Sequence, residues 1–157
     1  MIGYATIINE IRDFLERDGL AKTITHADIF DRDNNNKNVY PLVNIVPVGI
    51  TFDDNVSSFQ IDIECLDIRD LRDDINRDNF KLNSNLIDNL NTCYAILRRL
   101  FDHLTRHENI VVELLTTGTP FIYTDGNTLD GWVFNFNIIY EETEQNETRE
   151  VEVTETV

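Results

Sequence analysis

The chain has 157 residues, 41% of them hydrophobic, and its 13 basic and 29 acidic residues give a formal net charge of −16. This length and apolar content suit one domain with a core of its own. The acidic balance disfavours nucleic-acid binding, because affinity for DNA comes mainly from clustered Lys and Arg, and Arg98–Arg99 is the only adjacent basic pair.

The N-terminal segment has the pattern of an amphipathic helix that ends at Gly19, a usual helix stop. Glu10, Arg12 and Asp13 interrupt it where a signal peptide needs an unbroken apolar stretch, and the chain has no apolar run of about 18 residues. We therefore expect a helix that packs on a sheet, in a protein made in the cytoplasm. Its apolar positions are Tyr4, Ile7, Ile8, Ile11, Phe14 and Leu15.

Residues 20–30 predict a short strand, and the polar segment DRDNNNKN that follows predicts an exposed turn. The alternating Asp31, Asp33 and Asn35 have the spacing of a calcium loop. However, Asn36 stands where such a loop needs Gly, and Leu42 stands where it needs a bidentate Glu. We interpret this segment as a solvated turn.

Residues 40–68 have the pattern of a long β-hairpin with its turn at residues 53–55. Pro41 and Pro47 cannot donate ladder hydrogen bonds, so the first strand is predicted to lie at a sheet edge or to contain a bulge. Polar and apolar residues alternate along the second strand, which predicts that one face packs and the other meets water or a partner. The residues predicted to face the core are Phe59, Ile61, Ile63 and Cys65.

A charged stretch over residues 69–83 has few apolar anchors, as is typical of a functional or disordered insertion. The clearest helix comes next, with Ser84 as its predicted cap. Its stripe consists of Leu86, Ile87, Leu90, Tyr94, Leu97, Phe101 and Leu104, widened by Ile96 and Leu100.

After residue 109 the pattern returns to strands, with IVVELL at 110–115 and GWVFNFNIIY at 131–140. Between them we predict a turn marked by Gly and Pro at residues 116–120. In the last strand Asn135 and Asn137 are predicted to lie on the outer face. The residues predicted to face inward are Trp132, Phe134, Phe136 and Ile138.

Residues 141–157 contain seven Glu against one Arg, a composition that predicts disorder in the monomer. The final VEVTETV nevertheless alternates like a strand, so it can order by adding to a neighbour's sheet edge. We therefore expect one α+β domain over residues 1–140, followed by an acidic C-terminal tail.

No residue pattern indicates an enzyme, a metal site or a cofactor. His103 and His107 have the i, i+4 spacing of zinc ligands, but a third ligand is not evident, and histidines near a helix C-terminus also favour the helix dipole. Cys65 and Cys93 lie among apolar neighbours, which favours two buried thiols over a disulfide between them.

Helix, hairpin, helix and strands in this order predict an α+β fold, an antiparallel sheet with a long β-hairpin packed by two helices. The sequence resembles the tail-terminator and head-to-tail neck-ring proteins of tailed phages. The resemblance is carried by NVYPLVNIVPVGITFDD at 38–54, FQIDIECLDIRD at 59–70, NLNTCYAILRRL at 89–100 and GWVFNFNI at 131–138.

The resemblance implies a structural virion protein that forms a homo-oligomeric ring, six-fold or a multiple of six, at the head–tail junction. Its partners would be adjacent neck, portal-adaptor or tail-tube proteins, without a membrane or a cofactor. DNA would pass through without sequence-specific binding, and the acidic surface would let it slide. Before assembly the protein would reside in the host cytoplasm.

Two sets of candidate residues follow from the resemblance and the strand pattern. The lumen or loop candidates are Asp73, Asp74 and Asp78. The subunit-interface candidates are Tyr40, Leu42, Asn44, Val46, Asp53, Asp54, Gln60, Asp62, Glu64, Asp70, Arg72, Val151 and Val153.

A soluble inhibitor that mimics DNA is the alternative, and the charge of −16 is its motivation. Such a mimic needs carboxylates over one continuous face. Here the acids are spread through turns, insertion and tail, and they are interleaved with Arg69, Arg72 and Arg77.

Overall fold

Two helices cover one face of a six-stranded sheet in the computed structural model, an α+β fold. The structure describes residues 3–27, 39–53, 56–70, 85–113, 116–122 and 129–140. Its elements are α1 (Tyr4–Asp18), β1 (Thr23–His26), β2 (Leu42–Asp53), β3 (Val56–Ile68), α2 (Leu86–Thr105), β4 (Ile110–Val112), β5 (Thr117–Phe121) and β6 (Leu129–Tyr140).

The strand order is β1-β2-β3-β6-β4, and β5 also pairs with β6. β1 runs parallel to β2, while the other pairs are antiparallel. The sheet is therefore mixed, and the prediction of an antiparallel sheet is wrong at this edge. A parallel pair needs a connection of about a dozen residues or more, and residues 27–41 are long enough to provide one.

The predicted stripe of α1 is confirmed. Ile7, Ile11 and Leu15 are buried, and the other three predicted residues pack against the same core. Gly19 ends the helix in the left-handed region at φ 72°, where its N–H donates to the carbonyl oxygen of Leu15.

The buried stripe of α2 is rotated from the predicted one. Ile87 and Tyr94 are 45% and 50% exposed, whereas Asn89 and Cys93 are buried. The core contacts centre on Cys93, Leu97 and Leu100, which places Tyr94 at the margin of the stripe.

The inward faces predicted for β3 and β6 are confirmed. Phe59, Ile61, Ile63 and Cys65 are all buried in the main core, together with Phe136 and Ile138. Trp132 and Phe134 pack against this core while half-buried. The indole Nε1 of Trp132 donates to the carbonyl oxygen of Leu90 at 2.9 Å, which ties β6 to α2.

Residues 116–120 do not form the predicted turn, since residues 117–121 are strand β5 at the outer side of β6. Pro120 is compatible with an outer strand, where a missing N–H costs little. Gly118 lies against Phe134, and a Cβ at this glycine would come 2.6 Å from the ring. The packed ring of Phe134 therefore leaves no room for a side chain at position 118.

The end of β3 is fastened to the start of α2 by two asparagines. The side-chain amides of Asn85 and Asn89 donate to the carbonyl oxygen of Ile68 at 3.1 and 2.9 Å. The N–H of Asp70 donates to the Oδ1 of Asn85 at 2.6 Å. Ser84, the predicted cap, lies outside the described residues.

A buried ion pair fixes the same end of the sheet. Arg69 donates from Nε and Nη2 to the two carboxylate oxygens of Asp130, at 2.8 and 2.7 Å. The Asp130 side chain is fully buried and that of Arg69 is 13% exposed. Burial raises the pKa of the neighbouring Asp67, and the charge of Asp130 contributes to the rise.

We predict that Arg69→Ala lowers the free energy of unfolding by about 3–5 kcal/mol, because it removes both charge-assisted hydrogen bonds that Arg69 donates to the buried Asp130 carboxylate. Urea denaturation measures the loss. The matched control is Arg12→Ala, which removes an exposed i, i+4 pair with Glu16 and should cost less than about 1 kcal/mol. Equal losses in the two variants would contradict the prediction.

Candidate subunit interface

The second half of β2, from Val46 onward, pairs with β3 on one side only. Its other side has no strand partner among the described residues. β1 pairs with β2 only from Leu42 to Ile45, whereas β3 pairs with β2 along its whole length. We call the outer side of β2 along residues 46–52 the open edge. The side chains beyond Val46 are exposed, in contrast to the buried lower half of the strand.

A β-bulge between Pro47 and Gly49 turns the side chains of the open edge. Pro47 lies opposite Ile61, but Gly49 lies opposite Gln60, so Val48 is the extra residue. The prediction of an edge or a bulge from the two prolines is confirmed, because this strand has both.

The bulge moves Ile50 and Phe52 to the helix-facing side of the sheet. Ile50 lies opposite Phe59, whose side chain belongs to the core, and residues opposite each other share a face. Without the extra residue these two side chains would point to the other face, since a shift of one residue exchanges the two faces of a strand.

The helix layer ends before it reaches these residues. Tyr4, at the start of α1, contacts the ring of Phe59 with a centroid distance of 5.7 Å. Ile50 is 49% exposed, Phe52 76% and Val48 52%. The open edge therefore combines backbone groups that need a partner with an apolar surface. Sequence reasoning missed these three side chains, and the signal that points to them is the bulge marked by Pro47 and Gly49.

The opposite face of the sheet carries cross-strand polar contacts. Thr25 donates to the Oδ1 of Asn44 at 2.9 Å, and the Asn44 amide donates to the Oε2 of Glu64 at 3.1 Å. The Asn135 amide donates to the Oδ1 of Asp62 at 2.7 Å. We call these contacts, with the hydrogen bond between Ser58 and Asn137, the polar ladder.

The polar ladder confirms that the two asparagines of β6 lie on the outer face. Its neutral amides hold the carboxylates of Asp62 and Glu64, so this face presents negative charge in a fixed arrangement.

The structure places six of the interface candidates on this same outer face: Leu42, Asn44, Val46, Gln60, Asp62 and Glu64, of which Gln60 is exposed. Leu42 and Asn44 are fully buried within the subunit, so their side chains do not present surface to another chain. The side chain of Asn44 is held between those of Thr25 on β1 and Glu64 on β3.

The other described candidates lie at strand ends or on exposed positions. Tyr40 is half-buried just before β2, and Asp53 is exposed at the end of the open edge. Asp70 is exposed after the end of β3. Seven candidates lie outside the described residues: Asp54, Arg72, Asp73, Asp74, Asp78, Val151 and Val153. Asp31, Asp33 and Asn35, which have the spacing of a calcium loop, also lie outside them.

His103 and His107 contact a carboxylate and an aromatic ring. The Nε2 of His103 lies 2.7 Å from the Oε1 of Glu10, and that of His107 lies 3.9 Å from its Oε2. The ring of Phe14 stacks on His103 at 4.4 Å. These contacts join α2 to α1. No group of three or more His, Cys, Asp or Glu in the described ranges is placed to hold a metal ion.

Cys65 and Cys93 are free thiols, both fully buried between β3 and α2. A hydrogen bond with Cys93 and burial raise the pKa of the Cys65 thiol well above its usual value. The arrangement disfavours a reactive thiolate.

Within the part of the chain that the structure describes, no helix is long and apolar enough to cross a membrane. No protein-family model matches the sequence, and no curated protein matches it significantly.

We predict that neither thiol of the folded protein reacts with Ellman's reagent, because both are buried and the thiolate of Cys65 is disfavoured. Two thiols per chain should react after denaturation. Thr105→Cys places a thiol at an exposed position of α2 and is the positive control. Rapid reaction of the unsubstituted folded protein would contradict the burial.

Proposed function

We propose that the protein is a structural subunit of a ring at the head–tail junction of a tailed phage, a tail terminator or neck ring around the DNA channel. The resemblance of four segments suggests this role. The observation that carries it is the open edge of β2 with its exposed apolar side chains Val48, Ile50 and Phe52. Such an edge is suited to contact with another chain.

The sheet has a second exposed side for the same contact. β2 lies toward one edge of the strand order, and β4 lies at the other. Val111 of β4 is 44% exposed. A contact between different surfaces of identical subunits is head-to-tail, and it produces a closed ring when the rotation between subunits completes a circle.

The charge of the protein is consistent with a channel for DNA. Asp62 and Glu64 are held on the outer sheet face by amides, and the chain as a whole carries −16. Negative groups repel DNA phosphates and do not release their counterions, so a surface of this kind lets the duplex slide.

We propose a structural role because the chemically versatile side chains are used in packing. His103 stacks on Phe14 and contacts Glu10, and the two thiols are buried against each other. These contacts join the helices to each other and α2 to the sheet.

A DNA mimic has less support. It would need free carboxylates over a continuous face, whereas several described carboxylates pair with arginines. Strong, salt-sensitive competition with DNA for a nuclease would favour this alternative. The pairs are Asp18–Arg99, Asp102–Arg98 and Asp130–Arg69.

Cryo-electron microscopy of the assembled source particle tests the proposed location. We expect ring density at the capsid–tail junction into which the two-layer fold can be placed, and its symmetry gives the number of subunits. Absence of the protein from purified particles would contradict the proposal.

For the assembled ring we predict that Phe52→Asp weakens the contact between subunits. A well-buried aromatic side chain in an interface contributes about 2 kcal/mol or more, which is about 30-fold in the dissociation constant. Native mass spectrometry over a concentration series measures the change. The melting temperature of the monomer should hardly change, because Phe52 is 76% exposed in the subunit.

The matched control is Ile87→Asp, which places the same charge on an exposed apolar position of α2. It should leave the ring intact. An equal loss of assembly in both variants would show that added charge, and not the open edge, causes the effect.

A further inference from the structure

We propose that residues 151–157 of one copy of this chain add as a β-strand to the open edge of β2 in a second copy. The inference rests on the proposed function, because it names the segment that joins one ring subunit to the next. The occupant is thus a second copy of this chain and not a foreign peptide.

The open edge has the properties of a strand acceptor. It continues β2 beyond the last residue paired with β1, and no strand of the described residues pairs with it. Val48, Ile50 and Phe52 are about half or more exposed. A long apolar edge of this kind readily pairs with another chain, and proteins usually cover or charge it.

The last residues of the chain have the matching pattern. VEVTETV contains seven residues, as does the open edge at 46–52. In an extended strand its three valines lie on one face and its two threonines on the other. When residues 151–157 pair antiparallel with residues 46–52, Val153 and Val151 lie beside Ile50 and Phe52, and Glu152 lies beside Thr51, so at this end of the open edge apolar contacts fall on one face and polar contacts on the other.

The charge of the connecting segment favours a neighbour over the same chain. β6 ends at Tyr140, which pairs with Ser57 near the tip of the β2–β3 hairpin. To reach its own open edge, the chain would have to reverse around this tip, past Asp53. Residues 141–150 carry five Glu and one Arg, and like charges repel and extend such a segment.

The length of the connecting segment is sufficient for a neighbour. Ten residues in extended form span about 33 Å. This is several times the distance of about 5 Å between adjacent strands, so the segment can bridge to the next subunit.

Crosslinking between two chains tests the inference. A full-length Thr51→Cys chain is mixed with a full-length Glu152→Cys chain that carries a mass tag, and the mixture is oxidised. We expect a disulfide-linked product that contains one chain of each kind. The native Cys65 and Cys93 remain in place because both are fully buried.

The control exploits the period of a strand. Val153→Cys replaces Glu152→Cys in a parallel mixture, which moves the thiol by one residue and onto the opposite face. The crosslink should fall to the background level that Thr105→Cys on α2 gives with Glu152→Cys.

Three outcomes would overturn the inference: equal crosslinking through residues 152 and 153, a link that forms only within one chain of the Thr51→Cys/Glu152→Cys double variant, or a protein that stays monomeric at every concentration. The result is independent of the location test. A ring in the particle without the alternating crosslink refutes only this inference, whereas the crosslink without a ring in the particle refutes only the proposed function.

Discussion

The pairing of β3 with both of its neighbours is the constraint on which the rest of the molecule depends. β3 pairs with β2 on one side and with β6 on the other, over almost its whole length. Its alternation then determines which residues of all three strands face the helices, because opposite residues share a face. Burial of that shared face, from Phe59 to Cys65, creates the surface on which α1 and α2 pack.

Against this regular strand, the extra residue in β2 has a large effect. A single bulged residue reverses the faces of the upper strand, so the apolar side chains that would otherwise join the polar ladder lie on the helix side, beyond the end of α1. One local irregularity thereby separates two surfaces. The outer face carries the polar ladder with the carboxylates of Asp62 and Glu64, while the open edge is apolar and exposed.

These two surfaces suit the two demands of the proposed ring around DNA. An apolar edge provides contact area between subunits, whereas carboxylates held by amides resist binding of phosphate. The buried Arg69–Asp130 pair and the asparagines of α2 lie at the opposite end of the sheet from the hairpin tip. They fix the position of α2 without occupying either surface.

Local pattern was sufficient to predict α1, the inward faces of β3 and β6, the Gly19 stop and the presence of a bulge or an edge near Pro47. Each depends on a period of 2 or 3.6 residues, on the tolerance of glycine for a positive φ, or on the missing N–H of proline. The same patterns did not predict the strand at residues 117–121. Gly and Pro there indicate a turn by composition, but the ring of Phe134 and the outer side of β6 allow both residues in a strand.

For the candidate interface, the sequence by itself determined the acidic charge, the long hairpin and the alternation of residues 151–157. Only the tertiary structure decided that β1 runs parallel to β2 and stops at Ile45, that Leu42 and Asn44 are buried, and that Ile50 and Phe52 are exposed. The physical reason is that exposure depends on which neighbours cover a strand. Periodicity describes a strand's own two faces, whereas its coverage depends on the ends of other elements that are distant along the chain.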